Sequence, residues 1–227
     1  MSEKEAMELI EGRKFHPWEG GEGKVPAQYQ LARVELVKGC LARKEYDRAL
    51  KLIEECYVYP HNLGEGKLPG AQENDFNYYK ARILQETGHA DEARALYEAA
   101  SVGNSQPAAA IYYNDQKPDK IFYQGLALLR LGRETEARSR FNNLISYGEK
   151  HLYDVFKMDY FAVSLPDLQI WEDDMDRKNV IHCNYLMGLG YLGLGDKTKA
   201  EKYFAAAAEL DNNHQGVQVH RMMLNEK

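Results

Sequence analysis

The chain is short of the features that announce most kinds of chemistry. It has no surplus of positive charge: 29 Lys and Arg stand against 35 Asp and Glu in 227 residues, for a net charge of −6. A phosphate-binding face cannot be built from that balance, so nucleic acid and anionic membranes are excluded as first partners. No apolar run approaches the roughly 18 residues a membrane span needs. The start, Met1 to Glu5, has neither the basic region nor the apolar core of a secretion signal. The expectation is a soluble, cytoplasmic chain. Cysteine is scarce and odd in number: Cys40, Cys56 and Cys183 are widely separated within apolar helical patterns, which suits buried reduced thiols rather than a disulfide framework.

Catalytic and metal signatures are missing as well. None of the seven histidines pairs with another at the helical spacing of a zinc peptidase, and there is no Gly-x-Ser-x-Gly elbow and no Cys-x-x-Cys. Gly23-Lys24 and Gly66-Lys67 invite a phosphate-loop reading, but no strand pattern precedes them and each lysine is followed by an apolar residue. Asp173-Asp174 can cap a following helix or hold a cation, and adjacent carboxylates without an EF-hand pattern are usually solvated. The reading is a non-enzymatic chain without cofactor or metal.

What is present is a repeat. The segments beginning at Glu45, Ala90, Glu134 and Lys197 each carry a small alanine, at 49, 93, 137 and 200, with a bulky apolar residue four positions later: Ile53, Tyr97, Phe141 and Phe204. That pair shares one helix face. Gly88, Gly132 and Gly195 stand five residues before their alanines, as a glycine closing the preceding helix would. Those preceding helices are expected over 76–87, 120–131 and 180–194, with Ala81, Gly125 and Gly188 as small residues where helices cross. The unit is a helix-turn-helix hairpin.

The pattern resembles the tetratricopeptide repeat, which has a small residue, a turn glycine and an alanine at these relative spacings. Here the alanines are spaced by 44, 44 and 63 residues, whereas the family's unit is about 34. The surplus falls after the second helix of each hairpin, so the enlarged junctions should gather along one edge. Ala6 to Glu11 matches Ala49 to Glu54, and Gly21-Glu22-Gly23-Lys24-Val25-Pro26 matches Gly64-Glu65-Gly66-Lys67-Leu68-Pro69, both at an offset of 43. The chain therefore opens on the second helix of a hairpin, which reads as a fragment of a longer protein. The expected fold is all-α, a TPR-like right-handed superhelix of helix-turn-helix hairpins with enlarged inter-repeat loops. It is divided into a half repeat (1–25) and repeats of about 26–73, 74–117, 118–178 with a long insertion, and 179–227. An added helix is expected over 149–158, an extended apolar anchor over 160–167, and a C-terminal cap over 216–223.

His16-Pro17-Trp18, Gln72-Glu73-Asn74-Asp75, Tyr113-Asn114-Asp115, Tyr160 to Asp167 and His182-Cys183 are similar to strings in the C-terminal repeat segment of large bacterial proteins with an uncharacterised, sheet-rich N-terminal domain. The resemblance brings no assigned reaction.

Tyrosine outnumbers phenylalanine 16 to 7. By resemblance, tetratricopeptide arrays line a concave groove with the first helix of each hairpin. Those positions give Asp75, Tyr78, Tyr79 and Arg82, then Asp119, Phe122, Tyr123 and Leu126, then His182, Tyr185, Leu186 and Leu189. The lysine, asparagine and arginine set that grips peptide C-termini in chaperone-binding members survives only as Lys38 and Arg82. The candidate groove is Asn74, Asp75, Tyr78, Tyr79, Arg82, Tyr123, His182 and Tyr185, for a protein segment or the upstream domain of the same polypeptide. The alternative is carbohydrate, with tyrosines stacked on sugar faces as an accessory wall of a site. Equally open is that the tyrosines are packing.

Overall fold

A computed structural model describes residues 3–17, 21–109, 115–155 and 174–225. All regular structure among them is helical: α1 (Glu3–Glu11), α2 (Lys24–Ala42), α3 (Tyr46–Glu55), α4 (Asn74–Glu86), α5 (Ala90–Ser101), α6 (Pro118–Arg130), α7 (Glu134–His151), α8 (Met175–Gly193), α9 (Lys197–Leu210) and α10 (Gln215–Met222), with short 3₁₀ turns. The chain forms two compact units, Met1–Ala100 and Ser101–Lys227. The first holds the lone helix α1 and the hairpins α2–α3 and α4–α5. The second holds α6–α7, α8–α9 and the terminal α10. No described helix is long and apolar enough to cross a membrane.

The four hairpin turns share one geometry. Lys44, Gly88, Gly132 and Gly195 take the left-handed conformation, with φ of 60, 86, 75 and 79°. In each turn the following N–H reaches back five residues: Glu45 N–H to Cys40 O, His89 to Leu84 O, Arg133 to Leu128 O and Asp196 to Tyr191 O, at 2.9–3.0 Å. This closure satisfies carbonyls that the helix end would otherwise leave without partners. Asp174 and Asp196 cap α8 and α9 by accepting the N–H of Arg177 and Lys199. Asp174 thus takes the capping role that its sequence position allows.

Packing inside a hairpin follows from the paired small and large residues. A Cβ built on Gly125 would lie 2.3 Å from Cε1 of Phe141, and one on Gly188 would lie 2.5 Å from the Phe204 ring. In these two hairpins the aromatic of the second helix therefore occupies the space the first helix leaves empty. Phe141 and Phe204 are fully buried there, and such burial contributes about 1.5–3 kcal/mol each. The open end of a hairpin is also tied. Gln30 Nε2 donates to Cys56 O (3.1 Å), Asn74 Nδ2 donates to Ala100 O (2.8 Å), and Arg177 donates to Leu210 O. Each first-helix side chain thereby satisfies a terminal carbonyl of the second helix.

Between hairpins, α7 and α8 approach so closely that glycines are required on both. A Cβ on Gly148 would come within 2.7 Å of Cys183 O, and one on Gly190 within 2.6 Å of Phe141 O. This approach corrects the expected helix at 149–158. Gly148 does not break α7, because its bare Cα is what admits α8, and the helix runs on to His151 before the chain turns, with Asp154 N–H on His151 O. Residues 156–158, the anchor at 160–167, and Trp18, Tyr113, Asn114 and Asp173 lie outside the described residues.

In the first unit the two similar junctions lie side by side. Phe15 N–H donates to Asn62 O (2.8 Å), Asn62 Nδ2 donates to Ile10 O (2.9 Å), and Gly23 N–H donates to Glu65 Oε2 (2.7 Å). Ile10, Tyr29 and Leu63 form a small core beneath them, flanked by Phe15, Val25 and Tyr59. For this pair the gathering expected of enlarged junctions at equivalent places in the repeat is seen. Arg33, only 2% exposed, joins three helices: its guanidinium lies 3.5 Å from the centroid of Tyr29 and pairs with Glu11 (2.5 Å) and Glu55 (3.1 Å). At the C-terminus, α10 covers α8 and α9 through Val217 and His220, as expected of a cap. All three cysteines are buried and none forms a disulfide.

Candidate functional site

The sequence-derived groove residues fall into two sets. In the first unit, α4 brings together Asn74, Asp75, Tyr78, Tyr79 and Arg82. Asn74 and Asp75 are buried, and the amide of Asn74 is committed to Ala100 O. Tyr79 is fully enclosed and Tyr78 is 5% exposed. Their rings meet edge-on at 5.3 Å, and Tyr78 also contacts Tyr97 at 6.0 Å. Above these rings lies the half-buried Arg82, with its guanidinium carbon 6.0 Å from the centroid of Tyr78 and 5.9 Å from that of Tyr79. Among the described residues Arg82 has no carboxylate partner. Lys38, the other survivor of the clamp pattern, is already paired with Glu35 at 3.0 Å, one turn away on α2.

In the second unit, Tyr123 and Tyr185 converge on His220 of α10. Ring centroids are 5.9 and 5.8 Å away, and Tyr185 Oη lies 3.1 Å from His220 Nδ1. Both tyrosines are buried. Burial raises the Tyr185 phenol well above its ordinary range, so it stays a neutral hydroxyl, beside an Nδ1 that also lies 2.7 Å from Gly216 O. His214 caps α10 by accepting the Val217 N–H at Nδ1 and packs 4.8 Å from the Tyr185 ring. That capping role requires a neutral imidazole, and burial lowers its pKa accordingly.

His182 stands apart from this cluster. Its Nε2–H donates to Ala108 O at 2.8 Å, in the irregular stretch that follows α5, while the neighbouring Cys183 is fully buried. The two adjacent side chains thus enter different surroundings, His182 part-buried against the Ala108 backbone and Cys183 in the core, because neighbouring residues point to different helix faces. Burial presses the His182 imidazole down to about 4 and lifts the Cys183 thiol to about 12.

Sequence reasoning missed the side chains that work alongside His182. Gln124 of α6 donates through Nε2 to Asn104 O (3.1 Å), and its orientation is fixed by Arg140 Nε, which donates to Gln124 Oε1 (3.2 Å). Asn143 of α7 donates to Ser105 O at 3.2 Å. The only available signal was a carboxamide at a fully buried helical position, at Gln124, and periodicity does not say what such a group binds. His220 was equally hidden, since its role depends on where α10 folds back.

The fold and these contacts define an all-α protein of TPR-like helical hairpins. The family model of the tetratricopeptide repeat matches residues 181–214, which span most of α8 and all of α9. Among solved structures, the chain is similar to YrrB, described as a TPR protein with an unusual peptide-binding site. That alignment has 13% identity and a TM-score of 0.26, covering 84% of this chain and 91% of the other.

Proposed function

We propose that the protein is a non-enzymatic scaffold that holds a segment of another polypeptide or of its own upstream sequence. The observation that carries this reading is Arg82. A helix-borne guanidinium, half exposed above two tyrosine rings and without a carboxylate partner among the described residues, is suited to take an acidic group from a bound segment. Tyr78 and Tyr79 build the floor beneath it, Asn74 and Asp75 lie in the first turn of the same helix, and the burial of all four makes them supports rather than contact surfaces. Tyr123 and Tyr185 serve the second unit in the same supporting way. The match to one tetratricopeptide repeat agrees with an interaction role.

The carbohydrate reading draws no support from these rings. Stacking on a sugar needs an open aromatic face, and Tyr79, Tyr123 and Tyr185 are at most 5% exposed. The scaffold reading is tested by selecting displayed random peptides against the whole chain. Acidic sequences should be enriched, and Arg82→Glu should abolish their capture while leaving the melting temperature within a few degrees. Enrichment that ignores residue 82 refutes the assignment.

A further inference from the structure

The stretch after α5 runs over the second unit as an irregular segment, and side chains from three successive helices hold its backbone. Gln124 of α6 binds Asn104 O, Asn143 of α7 binds Ser105 O, and His182 of α8 binds Ala108 O, at 3.1, 3.2 and 2.8 Å. These are contacts to main-chain carbonyls, so they read the path of a backbone rather than particular side chains. Gly103 permits the approach. Its φ is +125°, and a Cβ there would stand 3.1 Å from Gln124 Nε2. The segment stiffens itself through Asn104 Oδ1, which accepts the N–H of Gln106 at 3.0 Å.

The held segment buries little of its own. Val102 is 63% exposed, and Gly103, Asn104 and Gln106 are exposed as well. Its described residues, Val-Gly-Asn-Ser-Gln-Pro-Ala-Ala, carry no charge and no aromatic ring. A strip held by carbonyl hydrogen bonds with few apolar anchors belongs to the least stable part of a fold. Within the cradle, Gln124 is fully buried and its amide is fixed by Arg140.

We infer that Gln124, Asn143 and His182 form a peptide-binding cradle, occupied in this structure by the chain's own residues 102–109. The partner it accepts is an uncharged segment of small residues that can take the same bent path, with a glycine at the Gly103 position. The tethered strip competes with that partner. A tether of this length gives an effective concentration on the order of millimolar, so an incoming peptide binds weakly until the strip is loosened. This deepens the scaffold reading, but on a surface that does not involve Arg82.

The experiment loosens the strip without touching the cradle. Asn104→Gly, Gln106→Gly and Pro107→Gly together turn residues 103–107 into a flexible linker. The probe is a labelled, end-capped peptide with the sequence of residues 102–109, followed by fluorescence anisotropy on the full chain. The triple variant should bind it at least tenfold more tightly than the unmodified protein, and a Gly→Ala change at the second position of the peptide should remove that binding. Adding Asn143→Ala, at a half-exposed position that leaves the helix intact, should weaken binding threefold or more. Equal binding by the unmodified protein and the triple variant overturns the inference, as does binding indifferent to Asn143. Adding Arg82→Glu to the triple variant should change nothing, so failure of the acidic-peptide selection and failure of the cradle are separate results.

Discussion

Replacing Lys44 by glycine should stabilise the protein. Lys44 occupies the turn position that glycine fills at 88, 132 and 195, and it is forced to φ 60° there. The left-handed region costs an L-residue about 1–2 kcal/mol. Glycine removes that cost but gives back about 0.4–1 kcal/mol through the greater freedom of the unfolded chain. The net gain is about 0.5–1 kcal/mol, or about 1–4 °C in melting temperature for a protein of this size. The Lys44 side chain is exposed, so Lys44→Ala, which keeps the strain, is the control and should move the midpoint little. The converse change, Gly132→Ala, places its Cβ in open space, so its cost is purely conformational and should be of similar size with opposite sign. Thermal unfolding followed by far-ultraviolet circular dichroism, with urea titrations to report the slope, measures both. A lower midpoint for Lys44→Gly, or an unchanged one for Gly132→Ala, would refute the idea that these four turns share one backbone geometry.

Three further outcomes follow from the packing. Gly190→Ala should destabilise by about 1–3 kcal/mol, because the added methyl meets the Phe141 carbonyl at 2.6 Å and a main-chain atom cannot rotate away; calorimetry showing no loss would contradict the close approach of α7 and α8. Removing both carboxylates around Arg33 with Glu11→Gln and Glu55→Gln should cost more than Arg33→Met. The first leaves a guanidinium that is 3% exposed without ionic partners, whereas the second frees two carboxylates that reach water, and chemical denaturation that reverses the order argues against the clamp. His182 and His214 both titrate below their ordinary value in the folded chain. The fold therefore favours their neutral forms: stability is complete above about pH 6.5 and declines as pH falls towards 4. For the part-exposed His182 the loss is about 2–3 kcal/mol, and His182→Gln should flatten that limb of the stability profile.

The hairpins were legible because local rules dictate them. The alanine and the aromatic four residues later set one helix face, and the glycines at 88, 132 and 195 set the turns. Lys44 hid the fourth turn, since its left-handed φ is imposed by the helices on either side rather than preferred by lysine. The paired junctions were legible too, through two matches at one offset, though their hydrogen bonds were not. The candidate groove residues fall on the first helices of their hairpins and are mostly enclosed there: Tyr79 and Tyr123 are covered by neighbouring elements. Spacing along a helix tells which residues share a face and says nothing about what covers that face. The cradle around residues 102–109 lay beyond sequence reasoning for the same reason. Gln124, Asn143 and His182 are far apart in the chain, and only the stacking of α6, α7 and α8 points their donors at one strip of backbone. The sequence by itself determined the helices, their turns and their pairing, because those depend on neighbours within a few residues. Which polar groups meet, and which tyrosines keep an open face, was decided by tertiary packing.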